Sequence, residues 1–204
     1  MTVADVPAIE VDLNQVDVPL RWEQVFGRHA PTEVEIGSGK GGFLLDLARL
    51  HPERNLLAVE KAGKYHRLCC HRAASRGLAN VRMVRTTAED LLFRLLAPGT
   101  VDAVYVLFPD PWPKKRHHKR RLFKPEVVEA VASALRPGGT LLVKTDHQDY
   151  VAMIRPLLER ARPLRAVDAE RAFADLPLTG FEHKYQADAR PIHALAFERL
   201  PDLS

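Results

Sequence analysis

Strand-like and helix-like patterns alternate five times along this chain, and that alternation leaves few folds open. The β-like runs are Glu33 to Gly37, Leu56 to Glu60, Val81 to Val84, Val101 to Phe108 and Thr140 to Thr145. Between them lie apolar residues at helical spacing. The first set is Phe43, Leu44, Leu47, Ala48 and Leu50, and the second is Tyr65, Leu68, Cys69 and Ala73, with Gly77 as its cap. Leu91, Leu92, Leu95 and Leu96 mark a short third helix. Pro125, Val127, Val128, Val131 and Leu135 predict a fourth, with Pro125 in its first turn and Gly138 closing it. Tyr150, Val151, Ile154, Leu157 and Leu158 predict a fifth, in which Pro156 should force a kink or an early end. Ile192 to Arg199 reads as one more strand, and residues 168–191 read as loop. Such a pattern packs as a mostly parallel sheet with helices on both faces. The expectation is a single α/β domain over 1–204, Rossmann-like and doubly wound, with 1–30 as lead-in and 31–204 as core.

Sheets of this kind bind ligands at the carboxyl ends of their strands. The residues there are Gly37 to Gly41, Glu60, Thr86 to Glu89, Pro109 to Lys114 and Asp146. Glycines and acids crowd these places, so an enzyme or a binding domain is expected. Other classes recede on composition. Hydrophobic residues make up 46% and charged residues 27%, with no apolar run long enough for a bilayer. Asp5, Glu10 and Asp12 interrupt the place where a signal peptide needs apolar residues, so a cytoplasmic protein is expected. The two cysteines, Cys69 and Cys70, are neighbours and read as helix core; with His71 they lack metal-ligand spacing, and no metal is expected.

Charge is concentrated in one place. Of 30 Lys and Arg, six fall between Lys114 and Arg121 with no acid among them, leaving 24 cations against 26 acids elsewhere. A near-neutral body with one cationic segment suits a polyanion docking there, although a solvated surface loop has the same composition.

The loop Glu35-Ile36-Gly37-Ser38-Gly39-Lys40-Gly41-Gly42 formally satisfies the dinucleotide pattern through Gly37, Gly39 and Gly42. Glu35 separates the candidate cofactors. A pyrophosphate over this loop would meet a carboxylate two residues before the first glycine. S-adenosylmethionine carries a sulfonium and an α-amino cation instead, and Glu60 can accept hydrogen bonds from its ribose hydroxyls. The loop therefore favours S-adenosylmethionine over NAD.

After the fourth strand, Phe108-Pro109-Asp110-Pro111-Trp112-Pro113-Lys114 is stiffened by three prolines in five residues. Trp112 suits stacking on a base or plugging the loop from beneath. Taken together, WEQVFG from Trp22, EIGSGKG from Glu35, Glu60, FPDPWPKKRHHKRR from Phe108, KTD from Lys144 and TGFE from Thr179 resemble the bacterial tRNA (guanine-N7-)-methyltransferases. The likeness runs from about Trp22 to Arg199.

The resemblance implies a class I methyltransferase fold and methyl transfer from S-adenosylmethionine to N7 of a variable-loop guanine in tRNA. It implies that Glu35, Gly37, Gly39, Glu60, Thr87 and Asp110 line the cofactor site, with Asp110 the catalytic candidate. Lys114, Asp146, Thr179, Gly180, Phe181 and Glu182 would bind the target nucleoside, and Arg116, Lys119, Arg120 and Arg121 the tRNA. Two departures stand out. Thr87 replaces an Asp that usually meets the adenine, and Gly180 replaces the Lys of T-K-F-E. Asp146 also suits the N-cap of the helix after it, and Glu182 an ion pair with Lys184. The alternative readings are a related RNA or small-molecule methyltransferase, an NAD-dependent oxidoreductase, and a non-catalytic RNA-binding protein.

Overall fold

Three of the β-like runs lie side by side in the computed structural model, which describes residues 8–188 and 190–201; Asp5 lies outside the described residues. They are β1 (Thr32–Ile36), β2 (Asn55–Val59) and β3 (Val81–Val84), buried at every position as strands covered on both faces must be. Both pairings are parallel, in the order β3-β2-β1. The helices of this part are α1 (Trp22–Phe26), α2 (Gly42–Leu50), α3 (Gly63–Ser75) and α4 (Ala88–Asp90), the last running into a π-helical turn at Leu91–Leu95. Gly77 (φ 63°) follows α3 and donates to the Ala74 carbonyl, as its cap position predicts. Before α1, Met83 donates to Ile9 and Val11 donates back to Met83, so the lead-in forms a parallel bridge along β3.

The chain divides into two compact units between Ala97 and Pro98. The second holds β4 (Val101–Leu107), a 3-10 helix (Lys115–Arg120), α5 (Pro125–Ala134) and β5 (Leu135–Thr145), then α6 (Gln148–Arg160) and β6 (Leu164–Ala166). Two short helices follow, α7 (Ala169–Phe173) and α8 (Gly180–Ala187), before β7 (His193–Arg199). β4 and β5 are parallel, whereas β7 runs antiparallel to both β5 and β6, in the order β4-β5-β7-β6. Among the described residues, no helix is long and apolar enough to cross a membrane.

The structure corrects three expectations. Residues 168–191 are not all loop, because α7 and α8 lie within them; these helices are too short to show a periodic apolar face. Asp168 caps α7 by accepting from Arg171 N at 3.2 Å. Helix α5 ends at Ala134 rather than at Gly138, since Arg136 precedes Pro137 and is held extended within β5. Helix α6 continues through Pro156 to Arg160, so the proline does not bring the early end, one of the two outcomes expected of it. Pro156 and Ala152 are both exposed, so water can serve the carbonyl that the proline leaves without its helical donor.

One buried cation fastens α1 to this framework. Arg82 on β3 donates from Nε to Val25 O (2.9 Å) and from Nη1 to Ala79 O (2.9 Å) and Val81 O (2.8 Å), and its guanidinium lies 5.2 Å from the Phe26 ring centroid. An Arg82→Leu substitution strands three carbonyls and should lower stability by about 2–4 kcal/mol. Urea denaturation checks the magnitude, and faster hydrogen exchange in α1 than in α2 checks the cause.

Candidate active site

In the first unit, the carboxyl end of β1 leads directly into the glycine loop. Gly39 (φ 54°) turns its N–H toward the Glu60 carboxylate, donating to Oε2 at 2.9 Å. The other oxygen, Oε1, accepts from Ala62 N at 2.7 Å, just ahead of α3. Gly41 answers a different need. A Cβ there would lie 2.3 Å from Cys69 Sγ, so the loop rests directly on α3 and admits no side chain. Cys69 thus belongs to the packing, as its helical spacing predicts.

Glu35 is buried beside this loop, and among the described residues neither its Oε2 nor the Ser38 hydroxyl has a hydrogen-bond partner. Burial first, and then the neighbouring Glu60 charge, push the Glu35 carboxyl up to about 8. A positive group beside it would favour the ionised form, and an anion would not. Ser38 stood inside the sequence pattern as a spacer, and only its burial marks it. Thr87 caps α4, accepting from Asp90 N at 3.1 Å while keeping its hydroxyl proton. Asp90 is already engaged, by Thr86 at 2.6 Å and by Arg94 at 2.7 and 2.8 Å.

In the second unit, the segment after β4 is held in a bent, fixed path. Phe108 (φ 53°) and Trp112 (φ 43°) both adopt left-handed backbone, which is unusual for aromatic residues. Phe108 N donates to Lys144 O at 2.8 Å, and Arg121 Nε donates to Pro111 O at 2.7 Å. The Arg121 guanidinium also covers the Tyr150 ring at 5.0 Å. Arg121, grouped by sequence with the tRNA contacts, is thus buried as a clamp on the proline loop. Asp110 and Lys114 are exposed on this loop, and Arg116, Lys119 and Arg120 are exposed on the 3-10 helix. Trp112 is half-buried, with Arg120 4.9 Å above its ring and His117 edge-on at 5.7 Å.

The KTD and TGFE segments turn out to be coupled. Lys144 and Glu182 form a buried ion pair, with the Lys144 ammonium 4.1 Å from the Phe173 ring centroid. Thr179 N donates to Glu182 Oε2 (2.8 Å) and Glu182 N donates to Thr179 Oγ1 (3.0 Å), a reciprocal cap on α8. Glu182 therefore answers Lys144, not Lys184. Asp146 does not cap α6; its carboxylate accepts from Arg190 at 2.6 Å. Nothing in the sequence marked Arg190. Phe181 is 52% exposed, with ring centroids 5.5 Å from Phe108 and 5.9 Å from Tyr185. At Gly180 a Cβ meets nothing within 4 Å, so packing does not demand the departure from lysine.

A family profile described as "Putative methyltransferase" matches residues 29–195. A tRNA (guanine-N(7)-)-methyltransferase of Nitrosococcus oceani is 38% identical over 186 residues, 90% of this chain and 78% of that protein. Its namesake from Chromobacterium violaceum is 41% identical over 162 residues, 78% of this chain and 72% of that one. The chain belongs to the tRNA (guanine-N7-)-methyltransferase family. Membership makes it an enzyme, as the sequence predicts. The 16S rRNA methyltransferase KamB matches with a TM-score of 0.61 at 21% identity, over 88% of this chain and 93% of that one. The fold is accordingly that of the class I methyltransferases, the α/β class expected.

The Glu35 carboxyl gives this methyltransferase a pH signature. Its value rises from 4.5 to about 8 on folding, so the folded chain holds a proton that the unfolded chain has lost between those values. The stabilisation is fully present below the unfolded value and is lost as pH rises toward the folded one, by at most about 1.4 kcal/mol per pH unit. Glu35→Gln should flatten that slope in urea denaturation of the ligand-free protein. An equal slope in both proteins would mean that Glu35 is ionised in the fold.

Proposed function

We propose that this chain transfers the methyl group of S-adenosylmethionine to N7 of a variable-loop guanine in tRNA, working in the cytoplasm. The observation that carries the cofactor assignment is the buried Glu35 carboxyl beside the glycine loop, with an oxygen that no donor reaches among the described residues. That environment suits a sulfonium and an ammonium and opposes a pyrophosphate, which disfavours the nicotinamide alternative. Glu35, Gly37, Gly39, Glu60 and Thr87 would hold the cofactor. Glu60 keeps lone pairs free for ribose hydroxyls even while accepting from Gly39 and Ala62. When bound, S-adenosylmethionine supplies an electrophilic methyl group.

Guanine N7 carries an in-plane lone pair and no proton, so the chain needs no general base. Its contribution is positioning and electrostatics. The purine becomes cationic as the methyl arrives, and a carboxylate lowers the energy of that charge. Asp146 is already balanced by Arg190, whereas Asp110 is exposed on a clamped loop. Asp110 is therefore the better candidate of the two. Lys114, Asp146 and Phe181 would lie on the substrate side, and Thr179 and Glu182 would act through the cap and ion pair they form. Arg116, Lys119 and Arg120 supply cations for tRNA phosphates.

Asp110→Asn should lower kcat by about a hundredfold or more with the fold intact. Turnover near that of the parent protein would remove Asp110 from the reaction. The decisive assay pairs labelled S-adenosylmethionine with two matched tRNA transcripts, one carrying guanine and one carrying 7-deazaguanine at the variable-loop target. Both should bind, since phosphates and shape persist, and only the guanine transcript should accept the methyl group. Equal labelling of both would place the methyl on another atom.

A further inference from the structure

The first unit gathers a second set of reactive side chains outside the glycine loop, and methyl transfer makes no use of them. His66 and Cys70 stand one turn apart on α3 and share a face. Glu10 reaches the same face from the lead-in, fixed there by the backbone bridge to Met83. Cys70 Sγ lies 3.8 Å from His66 Nε2 and 4.0 Å from Nδ1, and Glu10 Oε1 lies 3.8 Å from Nε2. One donor atom from each residue falls within 4.8 Å of the other two.

Donors held by zinc at its usual bond lengths sit roughly 3.3–3.8 Å apart on a tetrahedron. The present separations are a small contraction away from that. The imidazole is fully buried, and its contacts to Cys70 Sγ and Glu10 Oε1 are all 3.8 Å or longer, the long, weak end of hydrogen bonding. A cation between the three donors would replace these long contacts with short metal–ligand bonds. Thiolate, imidazole and carboxylate together suit a borderline metal better than magnesium or calcium.

We propose that Glu10, His66 and Cys70 form a Zn²⁺ site that pins the lead-in segment to α3. Nε2 would be the imidazole ligand, and the thiol would release its proton to water as the metal–sulfur bond forms. Glu10 is exposed, so water would be available as the fourth ligand. Cys69, Cys70 and His71 lack metal-ligand spacing, whereas these donors are a His-x3-Cys pair joined by an acid 56 residues upstream of His66.

The test uses the full chain, stripped of metal, and Co²⁺ as a spectroscopic stand-in. One equivalent should bind with a thiolate-to-cobalt charge-transfer band, which Zn²⁺ then abolishes. Cys70→Ser should lose the band while keeping its circular dichroism, Cys69→Ala should keep the band, and Glu10→Gln should bind more weakly. Failure to take up one equivalent, or a band that survives in Cys70→Ser, overturns the site.

Discussion

The carboxylate of Glu60 grips two backbone N–H groups at once, and the whole ligand end of the first unit hangs from that grip. One oxygen fixes Gly39 in the middle of the glycine loop, and the other fixes Ala62 at the entrance to α3. Two charge-assisted bonds of this kind hold a flexible loop against a rigid helix. Burial first, and then the Glu60 charge, raise the Glu35 carboxyl. One carboxylate is satisfied and the other is left proton-bound, so the loop's shape and its electrostatics have a common origin.

In the second unit the corresponding anchor is the Lys144–Glu182 pair. Two buried charges of opposite sign hold each other only if the geometry is good and the remaining lone pairs are used. Both conditions are met, because Glu182 also accepts from Thr179 N and Lys144 lies over Phe173. The pair welds α8 to β5, and that weld carries Phe181 and Tyr185 into contact with Phe108 at the end of β4. KTD and TGFE lie far apart in the chain but are the two halves of one joint. Loss of either charge would leave the other buried alone, so the segments cannot vary independently.

The legible and illegible parts of the chain divide on physical grounds. Strands buried on both faces are mostly apolar, which is why β2 and β4 stand out in the sequence, whereas β1 carries Glu33 and Glu35 and is marked by the glycine loop that follows it. The strand β6 has three residues with two exposed, too few to make a pattern. Helix α8 did carry a signal, since T-x-x-E is the signature of a reciprocal cap, but the same four residues also read as a substrate motif. Glu35 was legible because a carboxylate beside a glycine loop is anomalous in itself. Arg121 was not, because one arginine in a basic run looks like the next, and only tertiary structure turns it inward onto Tyr150. The metal donors escaped for a related reason: two share a helix face, and the third arrives through a backbone bridge that no local pattern predicts.

The stacking of Arg120 on Trp112 has an optical consequence. An indole with a guanidinium on its face emits differently from one that faces water or a neutral neighbour. Any anion that draws Arg120 aside uncovers the ring on that side, leaving His117 at its edge. Trp22, the other tryptophan, lies against Phe26 in α1 and is not part of that exchange. The basic helix thus carries its own fluorophore, and the colour and intensity of Trp112 emission follow the occupancy of the cations around it.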